Sequence, residues 1–469
     1  METMHPYLEK KTFIPENLKE ILKELNYERE NSRGDNIEVD YYFKVNNDGK
    51  PLSGLKNAIK MVLEHGTIKP WHNEGDIKIK KPAHYDENMA WVVDIKRIDS
   101  NKTENTESGI VTIAYPVFFF DKVPHKEFPL SQLMMAIASE PVSGFSMYQD
   151  SRIIDIRLPE SLKERFPGIK WSHKRIRKYL GISETEPIIG TIVKPKTGLT
   201  PLLFSNAVVE SAKAGAKFVK ADENMHLTLK EVSKYVSRTV KDLEKEGFDL
   251  GKGKQKGKRF LFAPHITTDP KHIMDYAKAA IESGANCLMF SPYYSGGFTI
   301  LSEIVEKFDV PVYSHTAGMN IITGCSEWGI APSIMYMFAV CFGAAFMQLP
   351  AVKGYIKPDD LEKEQILKKL RSENLEGNNG MTLVIAGGIG PSNLGYNMKI
   401  LGIEGRMFLA GTSVYSHPDG ISAGVKALIL AYRAYKEKNI TEVSELIDYA
   451  RQLGREGIPL LNALINPLL

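Results

Sequence analysis

The sequence predicts an α/β protein in which a carboxyl-terminal (β/α)8 (TIM) barrel follows an α+β, ferredoxin-like amino-terminal domain. From residue 186 onward, short apolar runs alternate with amphipathic stretches about eight times, which is the rhythm of parallel βα units. Before residue 166, alternating and aromatic-rich segments mix with short helical patterns. The chain of 469 residues is also too long for one ordinary core. A doubly wound open sheet is the alternative for the second part.

The amino-terminal domain is expected to cover residues 1–165. Strands are predicted at 37–45, 91–95, 110–120 and 153–158, because these segments alternate or are rich in β-branched and aromatic residues. Helical spacing marks 54–63 and 130–138. The remaining boundaries are a linker helix at 166–185, the barrel at 186–440 and a helical tail at 441–469.

Eight apolar runs are the predicted barrel strands, and helical patterns lie between them. The runs are 188–193, 218–220, 260–263, 287–290, 312–314, 344–347, 383–386 and 407–410. The clearest helical patterns are 205–214, 272–283, 300–308, 332–340 and 421–435.

Composition limits the partners and the compartment. With 43% hydrophobic and 25% charged residues and a net charge of +3, the chain is typical of a soluble globular protein without a polyanionic partner. The basic run at 251–259 has no interleaved aromatic residues, which favours a solvated loop over a nucleic-acid site. Cys287, Cys325 and Cys341 show neither metal-ligand nor disulfide spacing. With no signal-peptide or membrane-spanning pattern either, we expect a cytoplasmic protein without membrane partners.

Polar residues follow the predicted strands at the ends that form the active-site face of a (β/α)8 barrel. The first run ends in Lys194 and Lys196, and the fifth ends in His315. The second run ends in the segment KADEN at 220–224, and the sixth is followed by a loop around Lys353. We therefore expect these side chains to meet at one rim.

Glycines follow the seventh and eighth runs. Gly387 and Gly388 come after one strand, and Gly411 and Thr412 after the other. Glycine lets backbone N–H groups approach an anion, and barrel enzymes often bind phosphate at this position. Tight turns without a ligand are the structural alternative.

Asp222 and Glu223 are adjacent carboxylates, the hard oxygen ligands that suit Mg²⁺. Neighbours on an ideal strand face opposite sides, so the strand must end there for both to reach one ion. A strand-end lysine among other lysines should have a lowered pKa, and its neutral amine can add carbon dioxide. Lys220 would then be a third anionic ligand. For the motif alone, a surface turn of charged residues is the alternative.

Lys194 and Lys196 are candidates for a base and an electrostatic clamp, and His315 for a proton carrier. The structural alternatives are a solvated Lys196 and a hydrogen-bonded core histidine.

These motifs together resemble the large subunit of ribulose bisphosphate carboxylase/oxygenase (RuBisCO), and most closely its non-carboxylating, type IV RuBisCO-like relatives. The resemblance covers nearly the whole chain in order. It is carried by GTIVKPK at 190–196, FVKADEN at 218–224, YYSGGFT at 293–299, His315, AGGI at 386–389 and AGT at 410–412, with EHGT at 64–67 and IVTIAYP at 110–116 in the first domain.

The resemblance implies an enzyme that removes a proton next to a ketose carbonyl while Mg²⁺ stabilises the enediolate. Lys220 would be carbamylated, Asp222 and Glu223 would bind the metal, and Lys194 would be the enolising base or its neighbour. It also implies a homodimer or an assembly of dimers, in which the partner subunit supplies Glu64 and Thr67 to a shared site.

The departures from the family pattern concern phosphate binding and carbon dioxide handling. The arginine after the strand-5 histidine is Thr316 here, and a strand-6 histidine is replaced within 346–348. The mobile strand-6 loop is shorter and reordered at 350–354, so Lys353 stands in for the family's lysine. Ile68 replaces a tryptophan, and 139–141 replaces an asparagine position.

We therefore expect an enolase or isomerase acting on a phosphorylated ketose or sugar-acid derivative, with one phosphate held near strands 7 and 8. The alternatives are an authentic archaeal-type carboxylase, a decarboxylase or hydrolase of a phosphorylated sugar acid, and a non-enzymatic scaffold.

Overall fold

The computed structural model describes residues 35–49, 53–68, 86–123, 127–251, 257–356 and 359–465. Two compact units divide the chain. The first comprises residues up to Phe166 together with Ile321–Met335, and the second comprises Pro167–Asn320 and Tyr336–Leu469. Most of the basic run at 251–259 lies outside the described residues.

Fifteen strands occur in the described residues. They are β1 (Asn36–Asn46), β2 (Trp91–Asn101), β3 (Thr106–Pro116), β4 (Tyr148–Arg157), β5 (Ile188–Ile192), β6 (Phe218–Lys220), β7 (Phe248–Asp249), β8 (Lys258–Arg259), β9 (Leu261–Ala263), β10 (Leu288–Phe290), β11 (Val312–Ser314), β12 (Trp328–Ile330), β13 (Phe346–Pro350), β14 (Thr382–Ala386) and β15 (Arg406–Ala410).

The α-helices of the described residues are Leu55–Leu63, Val117–Phe120, Leu130–Ile137, Glu140–Ser143, Glu160–Lys163, His173–Leu180, Pro201–Lys213, Leu229–Lys245, Ile273–Glu282, Gly297–Phe308, Met319–Thr323, Pro332–Cys341, Asp360–Ser372, Pro391–Leu401, Thr412–Tyr415, Ile421–Lys438, Val443–Gln452 and Ile458–Ile465. None of these helices is long and apolar enough to cross a membrane, as far as the described residues extend.

The first unit is built on a five-stranded sheet in the order β12-β4-β1-β3-β2. β1, β2, β3 and β4 pair antiparallel, and β12 joins β4 in parallel. The strand expected at 110–120 ends at Pro116 and is followed by the helical turn Val117–Phe120. It ends there because its ladder with β1 stops at the Asn36–Pro116 pair.

The predicted barrel is confirmed in the second unit. Eight parallel strands follow the order β10-β11-β13-β14-β15-β5-β6-β9. A parallel bridge between His265 and Met289 connects the two ends of this series, and Ile266 N–H donates to the Met289 carbonyl at 3.0 Å. The parallel order agrees with the predicted (β/α)8 barrel and not with a doubly wound sheet.

One segment departs from the expected boundaries. Residues 321–335 lie within the predicted barrel range of 186–440, yet they group with the first unit. The reason is the strand β12, whose Trp328 and Ile330 pair with Ser151 and Ile153 of β4. This insertion between two barrel segments therefore belongs to the amino-terminal sheet.

Threonine caps define where the first two barrel helices begin. The Thr200 hydroxyl accepts the Leu203 N–H at 3.3 Å, directly before the helix Pro201–Lys213. Thr228 and Glu231 form a capping box at the start of Leu229–Lys245. The first cap fixes the end of the loop after β5, which carries Lys194 and Lys196. The second cap fixes the end of the loop after β6, which carries Asp222 and Glu223.

Aromatic side chains fill the barrel interior. The ring of Phe218 lies 5.3 Å from that of Phe346 and 6.0 Å from that of Tyr313, measured between centroids. All three are buried in a core cluster to which each barrel strand contributes. Barrel interiors are packed in layers, so this aromatic layer supports the residues above it.

We predict that Phe218→Ala lowers the free energy of unfolding by about 3–5 kcal/mol, because a buried ring is replaced by a cavity. Urea unfolding followed by circular dichroism measures the loss. Ile400→Ala, at a side chain that is 54% exposed, is the control and should change stability by no more than about 0.5 kcal/mol. Equal losses in the two variants would contradict the assigned core.

Candidate active site

Alternation along the barrel strands places polar residues directly above the core. Every second side chain of a barrel strand faces the interior. The core includes Phe218, Tyr313 and Phe346. Two residues after each of these along the chain lie Lys220, His315 and Gln348, respectively. On the other strands, the residues two positions after a core residue are Lys194, His265, Ser291, Gly388 and Gly411.

Lys220 lies at the carboxyl end of β6 and is 0% exposed. Its Nζ donates to the Ala221 carbonyl at 3.2 Å and lies 3.5 Å from Oε2 of Glu223. Burial lowers the pKa of Lys220 from 10.5 to about 8, even though the charges of Glu223 and Asp222 act in the opposite direction. At neutral pH, roughly one amine in ten is therefore unprotonated.

Asp222 is buried and holds both of its oxygens in hydrogen bonds. Nζ of Lys194 donates to Oδ2, and Oδ1 accepts the backbone N–H of Asn224 at 3.0 Å. Burial alone would raise the pKa of Asp222, but the hydrogen bonds from Lys194 and Asn224 outweigh it and lower the pKa. Asp222 is thus an ionised carboxylate paired with a lysine that lies at the cavity wall.

Glu223 connects Lys220 to His315, whose Nε2 lies 3.4 Å from the Glu223 Oε2. Burial would raise the pKa of Glu223, but the positive charge of Lys220, together with His315 and a backbone hydrogen bond, outweighs burial and lowers the pKa. The backbone N–H of Ala317 donates to Nδ1 of His315 at 3.1 Å, so Nε2 carries the ring proton. Burial and the Lys220 charge lower the pKa of His315 to about 3, which leaves a neutral imidazole that donates towards Glu223.

The four charged groups Lys194, Lys220, Asp222 and Glu223 have no net charge together. If Lys220 became a carbamate, the sum would change to two negative charges, which a divalent cation would neutralise. No group of three or more histidine, cysteine, aspartate or glutamate side chains in the described residues is suited to a metal. A carbamylated Lys220 would add a third ligand to Asp222 and Glu223, and the three would make the all-oxygen set that Mg²⁺ prefers.

A cavity of about 720 Å³ opens at this end of the barrel. Lys194, Glu223, His315 and Gln348 lie on its wall. The glycine loops after β14 and β15 line the same cavity, and so do Lys196, Lys353, Thr412 and Ala463 of the last helix. Except for Glu64 and Thr67, the candidate residues of the sequence analysis therefore either line this cavity or, as with Lys220 and Asp222, contact residues that do.

Gly387 and Gly388 adopt positive φ angles of 86° and 100°. A Cβ at Gly387 would lie 2.6 Å from Cδ1 of Ile356, so both the conformation and the space require glycine. The bare backbone next to the cavity, followed directly by the helix Pro391–Leu401, matches an anion site at a helix start.

Asn393, which the sequence analysis did not select, joins the sixth and seventh loops. Its Nδ2 donates to the carbonyls of Gly388 at 2.8 Å and Lys353 at 3.1 Å, while its Oδ1 accepts the Gly390 N–H at 3.1 Å. Its position three residues after Gly390, at the start of the helix, is the sequence signal that could have identified it.

Lys196 and Lys353, two of the predicted site lysines, differ in their surroundings at the cavity. Lys196 is exposed at the cavity wall. Lys353 also lines the cavity, but its ammonium lies 3.9 Å from the centroid of the Tyr396 ring. The expected use of Lys353 at the reacting centre would therefore require it to leave this cation–π contact.

Glu64 and Thr67 belong to the first unit, where they form part of the short π-helix Glu64–Ile68. The Thr67 hydroxyl donates to the Leu63 carbonyl, and Lys60 lies 3.9 Å from Glu64. Neither residue lines the cavity of the barrel unit. Their expected role in a partner's site remains a prediction.

His265 and Ser291 are further rim residues that the sequence analysis missed. Each lies two positions beyond a core residue, Ala263 and Met289 respectively. The alternation of side chains along a strand could have identified both residues from the sequence. It does so only if the end of each strand is known to within one residue, which sequence patterns do not provide.

The family model for the ribulose bisphosphate carboxylase large chain, catalytic domain, matches residues 169–456. The chain belongs to the RuBisCO large-chain family. The match covers the eight barrel strands and the residues Lys194, Lys220, Asp222, Glu223 and His315, and it includes every cavity residue named above except Ala463.

Relatives within this family have different activities. A ribulose bisphosphate carboxylase of Methanocaldococcus jannaschii is 26% identical over 85% of this chain and 92% of its own length. A 2,3-diketo-5-methylthiopentyl-1-phosphate enolase of Geobacillus kaustophilus is 26% identical over 72% and 78%. A 3-oxo-isoapionate-4-phosphate decarboxylase of Rhizobium rhizogenes is 27% identical over 64% and 71%.

Solved structures agree with the RuBisCO fold. The octameric ribulose-1,5-bisphosphate carboxylase/oxygenase of Pyrococcus horikoshii superposes with a TM-score of 0.76 at 23% identity. The superposition covers 94% of this chain and 95% of that one.

The lowered pKa of Lys220 predicts a pH dependence of stability. Between pH 8 and 10.5, the unfolded chain keeps the proton on this amine while the folded chain has lost it, so stability should rise with pH. We predict that Lys220→Met removes this rise, which amounts to about 3 kcal/mol in full. Urea unfolding in carbon dioxide-free buffer at several pH values measures it.

The exposed Lys196→Met variant is the control and should keep the wild-type slope. If Lys220→Met and the wild type gained stability in parallel over this range, the buried, destabilised amine would be refuted.

Proposed function

We propose that this RuBisCO-family chain is a RuBisCO-like, Mg²⁺-dependent enzyme that enolises or isomerises a singly phosphorylated ketose or sugar-acid derivative. The observation that carries the proposal is the neutral cluster of Lys194, Lys220, Asp222 and Glu223, which adjoins a cavity that also contains glycine loops suited to phosphate. The enolase among the relatives supports this reaction class.

Carbon dioxide would modify Lys220. Its neutral amine forms a bond from Nζ to the carbon of carbon dioxide and releases one proton, which leaves a carbamate. The carbamate, Asp222 and Glu223 would hold Mg²⁺. When bound, the ion supplies electrostatic stabilisation to the enediolate that forms during the reaction.

Lys194 is the proposed base. It lies at the cavity wall, where its amine, after losing its own proton to solvent, would accept the proton from the carbon next to the carbonyl. Lys196, exposed on the same wall, would bind the substrate's negative charge, and His315 would carry a proton between substrate and solvent.

The polar groups of the cavity favour one phosphate over two. Backbone N–H groups at Gly387, Gly388 and Gly411, with Thr412, would bind it. The family's arginine after the strand-5 histidine is Thr316 here, and its strand-6 histidine is replaced within 346–348, so a second phosphate would lack these two counter-charges. This arrangement suits an isomerase or lyase of a monophosphate.

The proposal includes a homodimer or an assembly of dimers in which the partner subunit supplies Glu64 and Thr67. Both residues lie on one turn of the first unit, outside the cavity residues of the barrel unit. The octameric state of the Pyrococcus horikoshii enzyme, which has a similar fold, supports the oligomeric part of the proposal.

A carboxylase is the second candidate. The carboxylase of Methanocaldococcus jannaschii aligns over the largest share of the chain among the relatives described above. Decarboxylation after enolisation is a further variant, and the decarboxylase among the relatives supports it. Thr316 and the replacement of the strand-6 histidine within 346–348 argue against the bisphosphate that a carboxylase uses.

We predict that the enzyme exchanges the substrate's proton next to the carbonyl with deuterium from solvent. Proton NMR of a panel of monophosphorylated ketoses in heavy water, with Mg²⁺ and bicarbonate, measures the exchange. Lys194→Met should slow it by about 100-fold or more, which is the usual size of a general-base effect.

Lys307→Met, on the exposed face of the helix Gly297–Phe308, is the matched control and should exchange at the wild-type rate. Unchanged exchange in Lys194→Met would reject the proposed base. Robust incorporation of labelled bicarbonate with ribulose bisphosphate would replace the proposal with the carboxylase candidate.

We also predict that carbon dioxide tightens Mg²⁺ binding in the wild type by about tenfold or more, because it converts a cationic neighbour into an anionic ligand. Lys220→Ala should bind Mg²⁺ equally with and without carbon dioxide. Isothermal titration measures both. Identical binding in the wild type and the variant would favour a non-enzymatic scaffold.

A further inference from the structure

Gln348 is a cavity residue to which the proposed function gives no role. It lies on β13, is 8% exposed and lines the wall of the cavity of about 720 Å³. It comes two positions after Phe346, so its side chain faces the barrel interior in the layer above the aromatic core. A primary amide carries two N–H donors on Nε2 and an acceptor oxygen, Oε1, and in a partly buried position these groups need partners.

Tyr313 determines which end of this amide faces the cavity. The side chain of Tyr313 is completely buried, and its hydroxyl donates to Oε1 of Gln348 at 3.4 Å. Burial raises the pKa of Tyr313 well above its usual value, so the hydroxyl keeps its proton. If the amide were reversed, this proton would have no acceptor among the described residues, which is costly in the barrel core. Oε1 therefore points towards Tyr313, and Nε2 points away from it.

Nε2 of Gln348 has donors to offer to a ligand. Among the residues that the structure describes, none accepts a hydrogen bond from it. The adjacent rim residue is His315, because Ser314 of β11 pairs with Met347 of β13. His315 cannot accept, since its Nδ1 is bonded to the Ala317 N–H and its Nε2 carries the proton that faces Glu223. The amide donors therefore remain for a molecule in the cavity.

Gln348 lies deeper in the barrel than the glycine loop after β14. It pairs with Val384 of β14, and Gly388 is four residues further along that chain segment. Four residues of a strand extend up to about 13 Å. A substrate whose phosphate lies at the glycine loop would therefore present a different part of its carbon chain to Gln348.

The charges around Gln348 favour an uncharged group. The four charged groups described above have no net charge together, and the adjacent His315 is neutral. The ammonium of Lys353 lies on the ring of Tyr396, and Lys196 follows β5, which is three strands away from β13 in the barrel. An anionic substituent would thus lack a counter-charge here, whereas two amide N–H groups suit a carbonyl or hydroxyl oxygen.

We propose that Gln348 recognises the substrate by donating from Nε2 to an uncharged oxygen, a carbonyl or a hydroxyl, at the end of the carbon chain away from the phosphate. The statement rests on the proposed function for the phosphate and the reaction class. Gln348 is then a specificity-determining residue, and Tyr313 is a positioning residue that acts through it. The same amide gives the preference for one phosphate a physical cause, because a second phosphate would meet a neutral donor.

Isothermal titration of the whole protein with ribulose 5-phosphate and with inorganic phosphate, in Mg²⁺ and bicarbonate, tests the proposal. Ribulose 5-phosphate has only hydroxyl and carbonyl oxygens at its other end, so it should bind more tightly than inorganic phosphate. We expect Gln348→Met, which keeps the side-chain length, to weaken ribulose 5-phosphate binding about tenfold, the effect of one hydrogen bond. Inorganic phosphate should bind this variant and the wild type equally.

Three results of these titrations would overturn the proposal. The first is ribulose 5-phosphate that binds the wild type no better than inorganic phosphate does. The second is a Gln348→Met variant that binds both ligands as the wild type does or loses affinity for both equally. The third is tighter binding of ribulose 1,5-bisphosphate than of ribulose 5-phosphate by the wild type.

Two tyrosine variants test how the amide is positioned. Tyr313→Phe should weaken ribulose 5-phosphate binding about threefold and cause no further loss in the Gln348→Met background, because it acts through the amide. Tyr336→Phe is the matched control, since its hydroxyl donates to the backbone carbonyl of Gln348 and not to the amide. It should bind ribulose 5-phosphate as the wild type does. Equal losses in the two variants, or additive losses in the double variant, would overturn the role of Tyr313.

Solvent deuterium exchange separates this inference from the proposed function. If binding of ribulose 5-phosphate depends on Gln348 but the wild type exchanges no proton of any monophosphate, the recognition stands and the enolising activity is rejected. If the wild type exchanges protons and Gln348→Met does so with an unchanged KM, the activity stands and the role of Gln348 is rejected.

Discussion

The burial of one ammonium group is the constraint on which the rest of the site depends. Lys220 is completely enclosed at the end of β6, where a charge is costly unless it is paired. Glu223 partly compensates it, Asp222 is paired with Lys194, and His315 stays neutral beside them. The burial of a costly charge at this position has a functional explanation if the amine reacts, as the proposed carbamate requires.

Simple geometry connects this charge to the cavity. Side chains alternate along each parallel strand, so the residue two positions after a core residue also faces the barrel interior. These residues form a layer directly above the aromatic core of Phe218, Tyr313 and Phe346. The core excludes water from below, and the loops after the strands close the cavity from the sides. Groups separated by more than 100 residues in sequence, such as Lys194 and His315, therefore share one wall.

Local patterns were sufficient to predict the barrel and most of its charged rim, because each strand is a short apolar run followed by polar residues. Features that depend on long-range pairing were not predictable. The strand β12 joins β4 across more than 150 residues, and the apolar segment 117–120 is helical because its ladder ends at Pro116. The cation–π contact of Lys353 depends on Tyr396, a neighbour that no sequence motif identifies.

A crystal structure grown with Mg²⁺ and bicarbonate tests the central claim most directly. The account predicts extra density for a carboxylate group on Nζ of Lys220, with one ion held between it, Asp222 and Glu223. An unmodified Lys220, with Lys194 still paired to Asp222 and no ion at the carboxylates, would contradict it.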